Sequence, residues 1–147
     1  MKNISSIIKS LNNIEILIID DDEATNFLTS YTFNELCINC NLHFELNAES
    51  ALDFLDNCNE QLPDVILLDI NLPGMNGWEF LNQYQKHNIA SKKKIAIFML
   101  STSIFDTDKL KSKTYPEVIE YFEKPLNDEK IQIFKEVYFN VNSKSST

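Results

Sequence analysis

The sequence predicts an α/β chain, (βα)5, with five parallel strands in one sheet. Three observations predict it. From residue 14 onward, short apolar runs alternate with helix-periodic stretches, the pattern of strand–helix–strand units joined by right-handed crossovers. The runs Ile16–Ile19, Val65–Leu68 and Ile95–Leu100 are continuously apolar, as strands buried on both faces are. Four runs end in polar residues: Asp20-Asp21-Asp22, Asp69, Ser101-Thr102 and Glu123-Lys124-Pro125. Ligands of an open parallel sheet bind outside the carboxyl ends of its strands.

Taken in order, strand one covers about 15–20, and Asp22 reads as the cap of the helix opened by Glu23 and Ala24. Helix one, about 23–38, is expected to carry Ala24, Phe27, Leu28, Tyr31 and Leu36, with Phe27 and Leu28 packed in the core. Strand two, about 42–47, alternates Leu42, Phe44 and Leu46 as an edge strand does. Residues 49–55 form a short second helix. Pro63 precedes strand three at 65–69, and Asn71–Gly77 is turn-rich. Helix three, about 77–87, carries Trp78, Phe80, Leu81 and Tyr84. Strand four follows at 95–100, a short polar helix four within 104–114, and strand five at 118–122. Helix five, about 127–139, has Ile131, Phe134, Val137 and Tyr138 on one stripe. The expected organisation is an extension over 1–13, a domain over 14–140, and a polar, mobile tail beyond it.

A chain of 147 residues is expected to form one domain. Its longest apolar stretches are about six residues, far short of the ~20 a membrane helix needs. MKNISSIIKSLNN has no continuous apolar core and no small-residue cleavage site, so it does not read as a secretory signal. The net charge of −9 argues against a nucleic-acid partner, which requires a basic face. All 13 basic residues are Lys, which reads as coding bias rather than function. Lys92-Lys93-Lys94 reads as a solvated loop before a strand. Cys37, Cys40 and Cys58 read as reduced, structural thiols of a cytosolic protein; Cys37-x-x-Cys40 lies at the end of a helix, whereas a redox pair opens one.

The strand endings bring three carboxylates, a hydroxyl and an ammonium to one sheet edge. Crowded carboxylates repel unless a hard cation sits among them, and Mg²⁺ suits one or two carboxylates plus waters. An Asp carboxylate can act as a nucleophile toward phosphorus, a reaction that depends mainly on positioning and charge neutralisation. Asp69 is the candidate nucleophile, Asp20 and Asp21 the cation ligands, and Ser101 and Lys124 the phosphoryl contacts. A single Asp, Ser or Lys at a strand end would carry little weight; their conjunction on strands one, three, four and five carries the reading.

These motifs resemble the receiver domain of two-component response regulators, over about residues 14–140. They are Asp20-Asp21 after ILII, LLDINLPGMNGWEF around Asp69, MLST at 99–102 and YFEKP at 121–125. The resemblance implies a flavodoxin-like three-layer sandwich with strand order 2-1-3-4-5. It implies phosphorylation of Asp69, Mg²⁺ held by Asp20, Asp21, Asp69 and the carbonyl of Asn71, and a cis Lys124–Pro125 bond. It assigns Ser101 and Tyr121 to a switch that alters the helix 4–strand 5–helix 5 face. The implied partners are a sensor histidine kinase or histidine phosphotransfer protein, docking beside Ala24, Thr25, Phe27 and Leu28, and a downstream protein. Dimerisation through the helix 4–strand 5–helix 5 face is a further expectation. The only catalysis implied is of the domain's own phosphorylation and dephosphorylation.

Thr102 is larger than the residue usual after the switch Ser, and Glu123 adds a negative charge near the site. Asn71 and Ser103 occupy positions that in the family tune phosphoryl lifetime. Three alternatives are weighed. A receiver-like binding module that needs no phosphorylation fits poorly with the intact acidic set. A haloacid-dehalogenase-like phosphatase requires an Asp-x-Asp nucleophile motif after strand one, whereas here the nucleophile-like Asp69 is followed by Ile70-Asn71. A flavodoxin requires a Ser/Thr/Gly-rich phosphate loop where this chain has Asp20-Asp21-Asp22-Glu23.

Overall fold

A computed structural model describes residues 14–36, 39–58, 61–102 and 105–145. The expected extension, Cys37 and Ser103 lie outside the described residues. The strands are β1 (Ile14–Ile19), β2 (Cys40–Glu45), β3 (Val65–Asp69), β4 (Ala96–Ser101) and β5 (Val118–Glu123). The helices are α1 (Glu23–Glu35), α2 (Ala48–Asn57), α3 (Gly77–Lys86), α4 (Asp106–Ser112) and α5 (Asp128–Ser145). A four-residue helical turn, Ile89–Lys92, precedes β4 and was not expected from the sequence. All strand pairs are parallel, in the order β2-β1-β3-β4-β5. The fold is the flavodoxin-like three-layer sandwich.

Strand alternation sorts the core onto two faces. Leu17, Ile19, Ile66, Leu68, Ile97 and Met99 join Leu52 and Leu55 of α2 and Phe80, Leu81 and Tyr84 of α3. Ile16, Ile18, Val65, Leu67, Phe98 and Leu100 join Phe33 of α1 and Ile131, Phe134 and Tyr138 of α5. β1, β3 and β4 are buried almost throughout, whereas β2 alternates between half-buried and exposed positions at the sheet edge.

Three expectations need correction. Helix one buries Asn26, Thr29 and Phe33, while Phe27, Leu28 and Tyr31 are 70%, 57% and 56% exposed. The Asp22 cap and the Asn26 bond to β1 set the rotation of α1, and both outrank the apolar pattern. Helix five does not stop near residue 139 but continues to Ser145, with no Gly or Pro in that stretch to end it. Lys93 is not simply solvated: its ammonium bonds Asp64 Oδ1 at 2.7 Å and the Leu62 carbonyl at 3.0 Å, fastening the foot of the sheet.

Two local features position the site. Asn76 and Glu79 form a reciprocal capping box at the start of α3. At Gly77 an added Cβ would lie 2.7 Å from the Asp69 carbonyl oxygen and 2.8 Å from Ile70 Cα, so only glycine lets α3 start against the end of β3. The second feature is a β-bulge in the β4–β5 ladder between Ile97 and Phe98, which puts Tyr121 opposite Met99 and Glu123 opposite Ser101.

Candidate acidic site at the carboxyl edge of the sheet

β1 and β3 are neighbours, so the polar residues that follow them meet. Asp20, Asp21 and Asp69 offer carboxylate oxygens that all lie within 4.8 Å of one another. Asp20 and Asp69 are buried and Asp21 is exposed. Lys124, at the end of β5, reaches across β3 and β4: its Nζ lies 2.6 Å from Asp20 Oδ2 and 3.2 Å from Asp69 Oδ2. The Lys124 N–H donates to the Ser101 carbonyl at 2.8 Å, which fixes the end of β5 to β4. Ser101 is fully buried.

The remaining bonds hold the carboxylates in place. Asp20 Oδ1 accepts the Asp22 N–H at 3.0 Å, and Asp69 Oδ1 accepts the Asn71 N–H at 3.3 Å. Asp22 caps α1 by accepting from Ala24 and Thr25, as expected, and the bonds from Thr25 hold its pKa below the usual value. The Lys124–Pro125 peptide is cis. Tyr121 is buried in the core on the α2–α3 side. Thr102 and Glu123 are both exposed.

The cluster is short of positive charge. Burial pushes the Asp69 pKa up; Lys124 opposes this, and Asp20 adds to it. For Lys124, burial works against the charge, but its bonds to Asp20 and Asp69 prevail and hold its pKa above the usual lysine value. One ammonium paired with two of three clustered carboxylates leaves a hard-oxygen donor set that suits a small divalent cation. The site therefore fits Mg²⁺.

Sequence reasoning missed Asn26. Its Nδ2 donates to the Asp20 carbonyl at 3.0 Å, and its buried Oδ1 has no hydrogen-bond partner. The available signal was the spacing Asp22–Asn26–Thr29–Phe33, which follows one helix face downward from the cap. The described thiols, Cys40 and Cys58, are free and half-buried rather than buried, and Cys40 opens β2 instead of ending a helix; burial raises the Cys40 pKa to about 11, beyond the range of a reactive thiolate. No helix among the described residues is long and apolar enough to cross a membrane.

The topology, with an acidic pocket where the strand order reverses beside β1, defines a flavodoxin-like α/β protein whose ligand chemistry lies at the carboxyl edge of the sheet. Residues 16–134 match the response regulator receiver domain, and the chain belongs to that family. It is 29% identical over 114 residues to Protein PilH of Pseudomonas aeruginosa, covering 78% of this chain and 88% of PilH. It is 25% identical over 131 residues to sporulation initiation phosphotransferase F of Bacillus subtilis, covering 89% and 98%. A two-component response regulator from Cytophaga hutchinsonii superposes with a TM-score of 0.80 at 27% identity, covering 88% of this chain and 98% of that one. The protein is thus a receiver of two-component signalling. Receivers of this family interact with histidine kinases or phosphotransfer proteins and bind Mg²⁺ through acidic residues.

Proposed function

We propose that Asp69 accepts a phosphoryl group from a histidine phosphodonor, with Asp20, Asp21, Asp69 and the Asn71 carbonyl holding Mg²⁺. The observation that carries this reading is the Lys124 ammonium shared by Asp20 and Asp69 within a cluster of three carboxylates. When bound, Mg²⁺ supplies charge neutralisation for the phosphoryl oxygens. Asp69 attacks phosphorus in line, forming an O–P bond as the donor's N–P bond breaks. The released imidazole nitrogen keeps the bonding electron pair. Lys124 and the Ser101 hydroxyl donate to the transferred oxygens. Water later cleaves the acyl phosphate to inorganic phosphate and restores the carboxylate, so the catalysis acts on the domain itself.

The added charge of about −1.5 to −2 shifts the Ser101–Tyr121 pair, and with it the α4–β5–α5 face. Tyr121 is already buried in this conformation. Phosphorylation is then read as locking the inward ring. Phe105 and Leu110 of that face are 69% and 61% exposed, which suits a downstream protein or a second copy of the chain. On α1, Leu28 lines a groove of about 450 Å³ that reaches Lys124 and Pro125, and Phe27 and Tyr31 of the same helix are exposed. That surface suits a helical hairpin carrying the donor histidine. The receiver unit spans 14–140, and its setting is the cytoplasm.

The test is intact mass after incubation with acetyl phosphate and Mg²⁺. The chain gains one phosphoryl group; Asp69→Asn gains none, nor does the unaltered chain without divalent cation. A gain retained in Asp69→Asn overturns the assignment.

A further inference from the structure

The first turn of α5 breaks a local rule. Helix N-termini favour acidic residues and disfavour cations. Asp128 and Glu129 comply, and Lys130 does not. Its backbone N–H takes the Asn127 Oδ1 cap at 2.9 Å, an ordinary helix start. Its side chain turns back over the preceding loop, where Nζ donates to the Glu123 carbonyl at 2.6 Å and the Pro125 carbonyl at 3.1 Å. Those carbonyls flank Lys124.

Residue 124 is therefore held from two directions. β4 grips it through the bond from its N–H to the Ser101 carbonyl, and α5 grips its neighbours through the Lys130 ammonium. Hydrogen bonds from a charged donor are roughly twice as strong as neutral ones. Local inconsistencies of this kind concentrate where a protein gives up helix preference for function. We infer that Lys130 is a positioning residue: it clamps the Glu123–Pro125 segment so that the Lys124 ammonium stays between Asp20 and Asp69 and meets the incoming phosphoryl group. The kinetic half of this inference rests on Asp69 being the phosphoacceptor; the electrostatic half does not.

The Lys124 ammonium occupies the same carboxylates a divalent cation would use. Loosening it therefore has two opposite effects: Mg²⁺ competes more easily and binds more tightly, while phosphoryl uptake slows for want of a placed cation. A residue that merely supported the start of α5 would change thermal stability and leave Mg²⁺ affinity alone.

The experiment compares the full chain with Lys130→Met, Lys130→Gln and Lys130→Arg, using calorimetric Mg²⁺ titration, thermal melts and acetyl phosphate uptake by intact mass. Lys130→Met is expected to bind Mg²⁺ about threefold more tightly, since a competing charge is loosened. At saturating Mg²⁺ it is expected to take up phosphoryl about tenfold more slowly, as a misplaced catalytic group does. Lys130→Gln keeps a donor without the charge and falls between. Lys130→Arg keeps both values within about twofold. Should Lys130→Met not fold, the ordering of Gln against Arg decides. Unchanged Mg²⁺ affinity and rate in folded Lys130→Met or Lys130→Gln overturn the clamp. If the unaltered chain takes up no phosphoryl group, the phosphoacceptor reading fails while the Mg²⁺ shift still judges Lys130.

Discussion

Helices α1 and α3 flank the same acidic site and are built in opposite ways. α3 buries Trp78, Phe80, Leu81 and Tyr84, so its apolar residues face the sheet. α1 buries Asn26 and Thr29 with Phe33 and turns Phe27, Leu28 and Tyr31 to solvent. α3 is a core helix, and Gly77 lets it start against the backbone of the proposed phosphoacceptor. α1 uses its inner face to hold Asp20 through Asn26, exposes apolar side chains on its outer face, and with Leu28 lines the groove that reaches Lys124. An exposed apolar patch at a site mouth indicates a partner, and a buried polar residue next to that site indicates a positional task.

The contrast breaks most sharply under truncation. Phe80→Ala, in the packed core, is expected to lose about 3–5 kcal/mol of stability in urea denaturation. Phe27→Ala is expected to stay within about 0.5 kcal/mol, as exposed positions do. Phe27→Ala should instead slow phosphotransfer from a cognate histidine donor while leaving uptake from acetyl phosphate unchanged. Equal stability losses in the two variants would remove the distinction between the helices.

Gly77→Ala tests how closely α3 approaches the site. Its methyl group meets backbone, which cannot rotate away, so the loss is expected at about 1–3 kcal/mol, as for overpacking. Mg²⁺ affinity should fall with it, because the methyl would displace the Asp69–Ile70 backbone. A variant that melts lower but binds Mg²⁺ normally would separate the helix start from the site.

The carboxylates between the two helices give a smaller effect of opposite sign. The raised Asp69 pKa means the folded chain holds this proton more tightly than the unfolded one. Stability from this group therefore falls as pH rises from about 4, the free carboxyl value, through the higher folded value. Asp69→Asn removes that loss. Without divalent cation it should melt above the unaltered chain at pH 7. The gain should vanish near pH 3, where both forms are uncharged. A lower melting point for the Asn variant at pH 7 would mean that the Lys124 pair outweighs the burial.

Asn26→Ala is expected to have the smallest effect on stability, about 1 kcal/mol or less, since the change removes one hydrogen bond and one unpaired buried oxygen together. Its larger readout should be weaker Mg²⁺ binding in a calorimetric titration. An unchanged affinity would make Asn26 a packing residue only.

Much of this was legible in the residues themselves. Three continuously apolar runs, two further strand-like stretches and the helix patterns between them determined the class and the parallel sheet, because strands buried on both faces must be apolar throughout. The polar endings of four strands picked out Asp20, Asp69, Ser101 and Lys124, because parallel strands all end at the same edge. Asp22 was readable as a cap from its place before Glu23. The family's motifs supplied the strand order and the cis Lys124–Pro125 bond, which composition and spacing alone do not.

Other features were decided only in three dimensions. The phase of α1 was one: its apolar residues outnumber Asn26 and Thr29, yet the cap and the bond to Asp20 fix a rotation that apolar periodicity cannot see. The face of Tyr121 was another. A single extra residue in β5 shifts the ladder after Ile97, and a one-residue slip moves a side chain to the other side of the sheet. The third was the bond from Lys130 to the carbonyls around Lys124, where a long side chain meets backbone groups that no residue pattern encodes. Sequence carries the periodicities that choose elements and the edge where chemistry collects; rotation, register and backbone contacts depend on distances that exist only once the elements have packed.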